Sequence, residues 1–255
     1  MSHEDETDRR EEPAATAASS VADALTDMIL GQLSPGASLP SEANLAARFE
    51  VSRLTVREAV KMLAGRGLLD LARGRRAVVR EPDGSAFADF LVSLIHNDPK
   101  GLFDLMEVRM SLETQSATFA ARRASRAGMV AVENALQEMR ESNADLKAGT
   151  ETEEAETRFH DADVRFHEAM AMASGNRVLS FLFEAMSTPL KASFYMSRRG
   201  QELRGHTRDD TIASHQAVLD AVRAGNPRAA AEAMRAHLQD SERDIRAGLG
   251  GNTPH

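Results

Sequence analysis

The sequence predicts a mainly α-helical protein built in two unlike parts. Three observations lead there. From about Phe87 to Leu249, apolar residues recur at helical spacing without strand-like alternation of useful length. Ahead of that stretch, residues 39–79 read as two short amphipathic helices, a tight turn and an arginine-rich hairpin. Between the two, Glu81-Pro82-Asp83-Gly84 breaks regular structure. The expected organisation is a tail over 1–20, a small first domain over 21–80, a linker and connecting helix over 81–100, an all-α domain over 101–248 and a tail over 249–255.

Residues 1–20 carry six acids, two arginines and alanine/serine filler, too little apolar matter for a core, and are expected to be disordered. In the first domain Ser41 is a good N-cap for a helix whose Leu45, Ala46 and Phe49 form one apolar stripe. Glu50-Val51-Ser52 makes the turn, and Ser52 caps a second helix. On that helix Val56, Ala59, Val60 and Leu63 point inward, while Arg53, Arg57 and Lys61 recur every four residues on another face. One side to dock and a cationic side to present is what a major-groove helix requires, so the segment reads as a winged helix-turn-helix that binds DNA. The whole chain argues the other way, with 31 Lys+Arg against 39 Asp+Glu and a formal charge of −8. The cationic footprint is local. Residues 48–80 hold nine Lys/Arg against three acids, an excess of six in one stretch.

In the second part Asp98-Pro99, Lys147-Ala148-Gly149, Ser174-Gly175-Asn176, Arg199-Gly200 and Gly225-Asn226-Pro227 punctuate an all-α bundle of about six or seven helices. Aromatic residues make up 4% of the chain, which with many alanines suits closely packed helices. Asp163 and His167 lie four apart, on one face of a helix, with Phe159 and Phe166 nearby. His215 is ten residues before Gly225 and His237 eleven after Asn226. Across an antiparallel hairpin both then sit about 15 Å from the turn, at 1.5 Å per residue, and their side chains converge. With the Asp163 helix alongside, three imidazoles and a carboxylate meet in the core. That set suits a divalent metal, Zn²⁺ first, with Ni²⁺ or Mn²⁺ also accepted. Of the other histidines, His3 and His255 lie in the tails, and His96, His160 and His206 read as structural. His160, seven residues before His167, is the spare ligand candidate.

Composition excludes several classes. Zero cysteines removes disulfides and thiolate metal sites. The longest apolar cluster, Phe87 to Ile95, contains Asp89 and Ser93, so no membrane span is expected. The N-terminus is acidic rather than basic-then-apolar, so no secretory signal is expected and a cytoplasmic location is. A metal-dependent hydrolase is the competing reading of the histidines, but it leaves the basic reader unexplained, and no H-E-x-x-H motif is present. A DNA-binding dimer without an effector is the other alternative. The chain is therefore read as a non-enzyme.

The run Leu39-Pro40-Ser41-Glu42, Val51-Ser52-Arg53, Thr55-Val56-Arg57-Glu58-Ala59 and Gly67-Leu68-Leu69 resembles the GntR family of bacterial transcription regulators. The resemblance implies that Arg53, Thr55 and Arg57 contact base edges or phosphates, with Ser52 on the DNA backbone. Two departures stand out. Ala43 occupies a position where members usually carry arginine, and the wing reads Gly74-Arg75-Arg76-Ala77-Val78-Val79. Arg75 and its neighbour would then replace the missing contact. Asp163-Val164-Arg165-Phe166-His167, Ser174-Gly175-Asn176, His215 and Ala233-Met234-Arg235-Ala236-His237-Leu238 resemble the FCD domain of the FadR-type members. This implies a metal held by Asp163, His167, His215 and His237, and a pocket-facing Arg109. A guanidinium and a metal together grip a carboxylate, so the implied effector is a small organic acid or sugar acid. For Arg109 a surface salt bridge with Glu113 is the competing reading. The implied whole is a homodimer on a palindromic double-stranded operator, a repressor relieved by ligand.

Overall fold

A computed structural model describes residues 16–72, 75–81, 83, 85–95, 99–149 and 152–250. Most of the expected N-terminal tail, Arg73, Gly74, Pro82, Gly84, His96 and residues 251–255 lie outside them. The chain divides into two compact units between residues 82 and 83.

The first unit opens with α1 (Ala17–Gln32), capped by Thr16, whose side chain accepts from Ser19 N. The helix begins inside the stretch that composition assigns to the tail. Alanine and serine filler is helix-permissive once a cap is present and Val21, Ala22 and Leu25 have a core to enter. Helix α2 (Glu42–Phe49) starts at the Ser41 cap and ends at Glu50, whose backbone is left-handed at φ 55°. That single non-glycine residue turns the chain tightly into α3 (Arg53–Gly65), capped by Ser52. Strands β1 (Leu69–Asp70) and β2 (Val78–Val79) pair antiparallel, Leu69 opposite Val79. A bridge from Ser38 to Val78 extends the wing. Leu25, Leu39, Leu45, Val56, Leu63 and Leu69 close the core, so the docking face read from the sequence is the buried one.

The second unit is seven helices among the described residues: α4 (Ser85–Ile95), α5 (Pro99–Arg123), α6 (Arg126–Ala148), α7 (Thr152–Ala173), α8 (Arg177–Arg204), α9 (Arg208–Arg223) and α10 (Pro227–Gly250). None is long and apolar enough to cross a membrane. Pro99 and Pro227 stand at first helical positions, where proline's missing N–H costs nothing. Buried Leu136, Met139, Phe166, Met170, Leu219 and Met234 knit α6, α7, α9 and α10 together. A second cluster of Leu105, Phe183, Met186, Leu190 and Ile245 ties α5 and α8 to α10.

Two glycines show how differently the residue is used. Gly225, at φ 61°, turns α9 into α10, and Asn226 caps the latter by accepting from Ala229 N at 3.1 Å. Gly200 does not end a helix, as the punctuation reading has it, because α8 continues to Arg204. A Cβ there would overlap the carbonyl of Asp244, so Gly200 is where α8 presses backbone to backbone on α10.

Candidate metal and effector site and candidate DNA-binding surface

The hairpin geometry brings His215 on α9 and His237 on α10 to a ring-centroid distance of 4.2 Å. His167 on α7 completes the group, 5.2 Å from His215 and 5.1 Å from His237 by centroids. All three are buried, and ligand nitrogens from the three rings lie within 4.8 Å of one another. Phe166 meets the His215 ring edge-on at 4.5 Å, and Phe183 stacks on His167 at 6.0 Å. Phe166, noted beside His167 in the sequence, and Phe183 of α8 thus help wall the site.

The hydrogen bonds set the tautomers. His215 Nδ1 faces the Thr211 carbonyl at 2.8 Å, and a carbonyl only accepts, so Nδ1 carries the proton. Ser214 donates to the same carbonyl at 2.7 Å. Its oxygen then accepts from His237 Nδ1 at 2.9 Å. His167 Nδ1 lies against the Glu113 carboxylate at ion-pair distance. The Nδ1 atoms of His215 and His237 are thereby hydrogen-bonded, and a ring nitrogen of each histidine faces the other two. His167 Nε2 and His237 Nε2 lie 3.2 Å apart, within hydrogen-bond distance. His215 Nε2 is buried without a hydrogen-bond partner among the described residues, and Asp163 Oδ1 stands 3.2 Å from it. Three buried imidazoles converging beside a carboxylate are a donor set for a cation, and outer nitrogens tied to carbonyl and hydroxyl, as on His215 and His237, orient metal-binding imidazoles. The residues present fit a divalent metal.

Charge follows the same logic. Burial opposes ionisation of Asp163, but its contact with His215 and the neighbouring His167 and His237 outweigh it and hold the carboxyl well below the usual range. Burial pushes the His237 imidazole well down, and His215 and His167 add to the effect, which keeps it neutral. Burial would likewise raise Glu113, but Arg109 and His167 prevail and keep it ionised.

Arg109 sits on α5 among buried residues. It pairs with Glu113 at 2.5 Å, yet the pair is buried rather than on the surface. It also lines a cavity of about 50 Å³ with His160, Asp163, His167 and His237. A chain Arg109–Glu113–His167 results, in which the guanidinium holds the carboxylate that holds the ring. Asp163 lies beside the three histidines, against His215. Sequence reasoning missed Glu113, Ser214 and Thr211 as orienting groups. The Arg109–Glu113 spacing of four and the adjacency of Ser214 to His215 were the signals available.

In the first unit α3 exposes Arg53, Arg57 and Lys61, and the wing exposes Arg75 and Arg76. Ser52 Oγ accepts from Thr55 N at 3.0 Å and lies 2.8 Å from Thr55 Oγ1, so both polar side chains sit at the amino end of the helix. Arg57 differs from its neighbours. It forks onto Glu42 of α2, with bonds of 2.8 and 3.2 Å. Arg66 and Arg80 are paired too, with Asp23 at 3.4 Å and Asp70 at 3.8 Å.

The comparisons agree with this geometry. A family profile described as "FCD domain" matches residues 104–240, and one described as "Bacterial regulatory proteins, gntR family" matches residues 17–79. The HTH-type transcriptional regulator LutR of Bacillus subtilis is 32% identical over 219 residues, 86% of this chain and 95% of that protein. The galactonate operon transcriptional repressor of Escherichia coli is 31% identical over 223 residues, 86% of this chain and 92% of that one. A solved structure of Streptococcus agalactiae GntR superposes with a TM-score of 0.66 at 28% identity, covering 89% of this chain and 98% of that one.

Proposed function

The chain belongs to the GntR family of bacterial regulatory proteins, as a DNA-binding transcription regulator with an FCD domain, and from that premise we propose that it is a repressor whose helical unit senses a small acid at a metal site. The observation that carries the reading is the convergence of ring nitrogens from three buried histidines within 4.8 Å of one another, with Asp163 3.2 Å from His215. His167, His215 and His237, with Asp163 beside them, would hold a divalent metal, Zn²⁺ first and Ni²⁺ or Mn²⁺ as further candidates. When bound it would supply a Lewis-acidic anchor for a carboxylate. The chain's own residues do the rest. Glu113, Thr211 and Ser214 contact the rings, and Arg109, paired with Glu113, lines the cavity where a carboxylate would sit. One relative is named for a galactonate operon, and galactonate is a sugar acid, which supports a carboxylate effector.

DNA is read by Arg53, Thr55 and Arg57 of α3 with Ser52 at its cap and Arg75 on the wing, two copies of the chain facing a palindromic operator. The acid releases the operator if it binds the DNA-incompetent state more tightly than the competent one. Elemental analysis of the purified protein, followed by thermal-shift measurements with D-galactonate and L-lactate with and without chelator, tests the reading. The expected result is about one metal per chain and a stabilisation by acid that the chelator abolishes. Metal-free protein that responds to neither acid would sink it.

A further inference from the structure

Helix α3 turns one large apolar side chain outward. Val56, Ala59, Val60 and Leu63 are buried in the core of the first unit, whereas Leu54, the second residue of the helix, is 63% exposed. At about 3.6 residues per turn, Leu54 points roughly 180° away from Leu63 and roughly 160° away from Val56. It therefore stands on the midline of the face opposite the core. Lys61 lies about two turns along the same line, and Arg57 and Glu58 flank Leu54 at the three- and four-residue spacings. All three are exposed. Among the described residues, Leu54 belongs neither to the core nor to the apolar residues packed against it.

We propose that Leu54 is a base-reading residue that selects thymine, by contact of its δ-methyl groups with the thymine C5-methyl group in the major groove. This rests on the reading of α3 as the helix that enters DNA. Residues at the amino end of such a helix are the ones that meet base edges. That end is held in place here by the Ser52 cap, which accepts from Thr55 N at 3.0 Å and lies 2.8 Å from Thr55 Oγ1. The direction of Leu54 is set accordingly.

The chemistry of the groove makes the choice of base. The thymine methyl is the apolar group that base pairs present there, and the other marks of the code are donors and acceptors. Leucine satisfies no donor or acceptor. Pressed against guanine, adenine or the cytosine amino group, it takes a polar edge out of water without replacing its hydrogen bond. Against the thymine methyl, both partners lose apolar surface to each other, and one buried methyl-sized group corresponds to about fourfold in affinity. A leucine kept only as a good helix former would affect stability and leave base preference untouched.

Selection of a random-sequence duplex pool on the full-length protein supplies a target, in which each thymine is then replaced singly by deoxyuridine. That replacement removes the methyl group and keeps the base pair. Fluorescence anisotropy at fixed salt is expected to show one thymine position per half-site where the replacement weakens binding about three- to tenfold. Leu54→Ala should weaken binding to the thymine duplex by a similar factor and no longer distinguish thymine from deoxyuridine at that position, so that the two losses do not add. A second selection with Leu54→Gln should enrich adenine there, because a glutamine amide can pair with its N6 and N7. Thermal unfolding of both variants should match that of the unaltered protein. Deoxyuridine tolerated at every position, or a Leu54→Ala variant that keeps the full thymine preference, would overturn thymine reading by Leu54 while leaving α3 a DNA-binding helix through its cations. A pool from which no sequence is enriched would overturn the proposal together with the reading of α3 on which it rests.

Discussion

The two units place their functional side chains in opposite environments. In the winged unit the candidate readers are exposed, and Arg57 is paired across to Glu42 at side-chain exposures of 54% and 39%. In the helical unit His167, His215 and His237 are buried, and the outer nitrogens of His215 and His237 are hydrogen-bonded. Water screens the first set, so each cation contributes modestly and neighbours can substitute for it. Burial strengthens each interaction in the second set and leaves a large penalty when one partner is removed. The DNA surface should therefore degrade gradually under mutation, and the histidine site abruptly.

The sharpest way to break that contrast is to remove one imidazole. His215→Ala should abolish stoichiometric metal binding, measured by elemental analysis, while operator binding without ligand is largely kept. Glu113→Gln tests the orienting layer. It keeps the shape of the side chain but weakens the hold on His167, and should lower metal affinity by about 10–100-fold in a competition titration with a chromophoric chelator. Metal affinity unchanged in both variants would mean that the buried site is as forgiving as the surface.

Next in size comes the scaffold that holds the site. Gly200→Ala forces a methyl into the Asp244 carbonyl across the α8–α10 contact. Asp244 also anchors Arg204 and His206, the latter at 2.9 Å, so the carbonyl has little freedom to retreat. Loss of about 1–3 kcal/mol, or more, is expected in denaturant unfolding. A neutral result would show that the two helices slide apart without cost.

How much of this was legible in the sequence depended on the kind of signal. The His215–His237 pairing followed from equal distances to Gly225-Asn226-Pro227, because an antiparallel hairpin converts sequence distance into height. The docking face of α3 followed from periodicity alone. Glu113 was not legible, because periodicity tells which face a residue occupies but not which ring a neighbouring helix will bring to it. Gly200 was misread because a glycine that ends a helix and one that admits a close backbone approach look the same in sequence. The start of α1 was hidden by a composition that suits a tail as well as a capped helix.

The smallest effects belong to the reading surface. Arg53→Ala should cost about 1–3 kcal/mol of specific binding if the side chain meets a base edge, seen by fluorescence anisotropy on matched and scrambled duplexes. Equal loss on both duplexes would reassign it to phosphate. Glu42→Gln is the subtlest test, because it alters no cation. The Glu42 carboxylate holds the Arg57 fork in place, and Arg57 in turn draws the Glu42 carboxyl below its ordinary range. If DNA takes Arg57 from Glu42, neutralising the acid should tighten binding slightly and steepen its salt dependence, since a released guanidinium displaces a counterion from phosphate. If instead Glu42 aims Arg57 at its target, binding should weaken at every salt concentration with the slope nearly unchanged. The sign of a small change then tells whether the exposed pair competes with DNA or prepares for it.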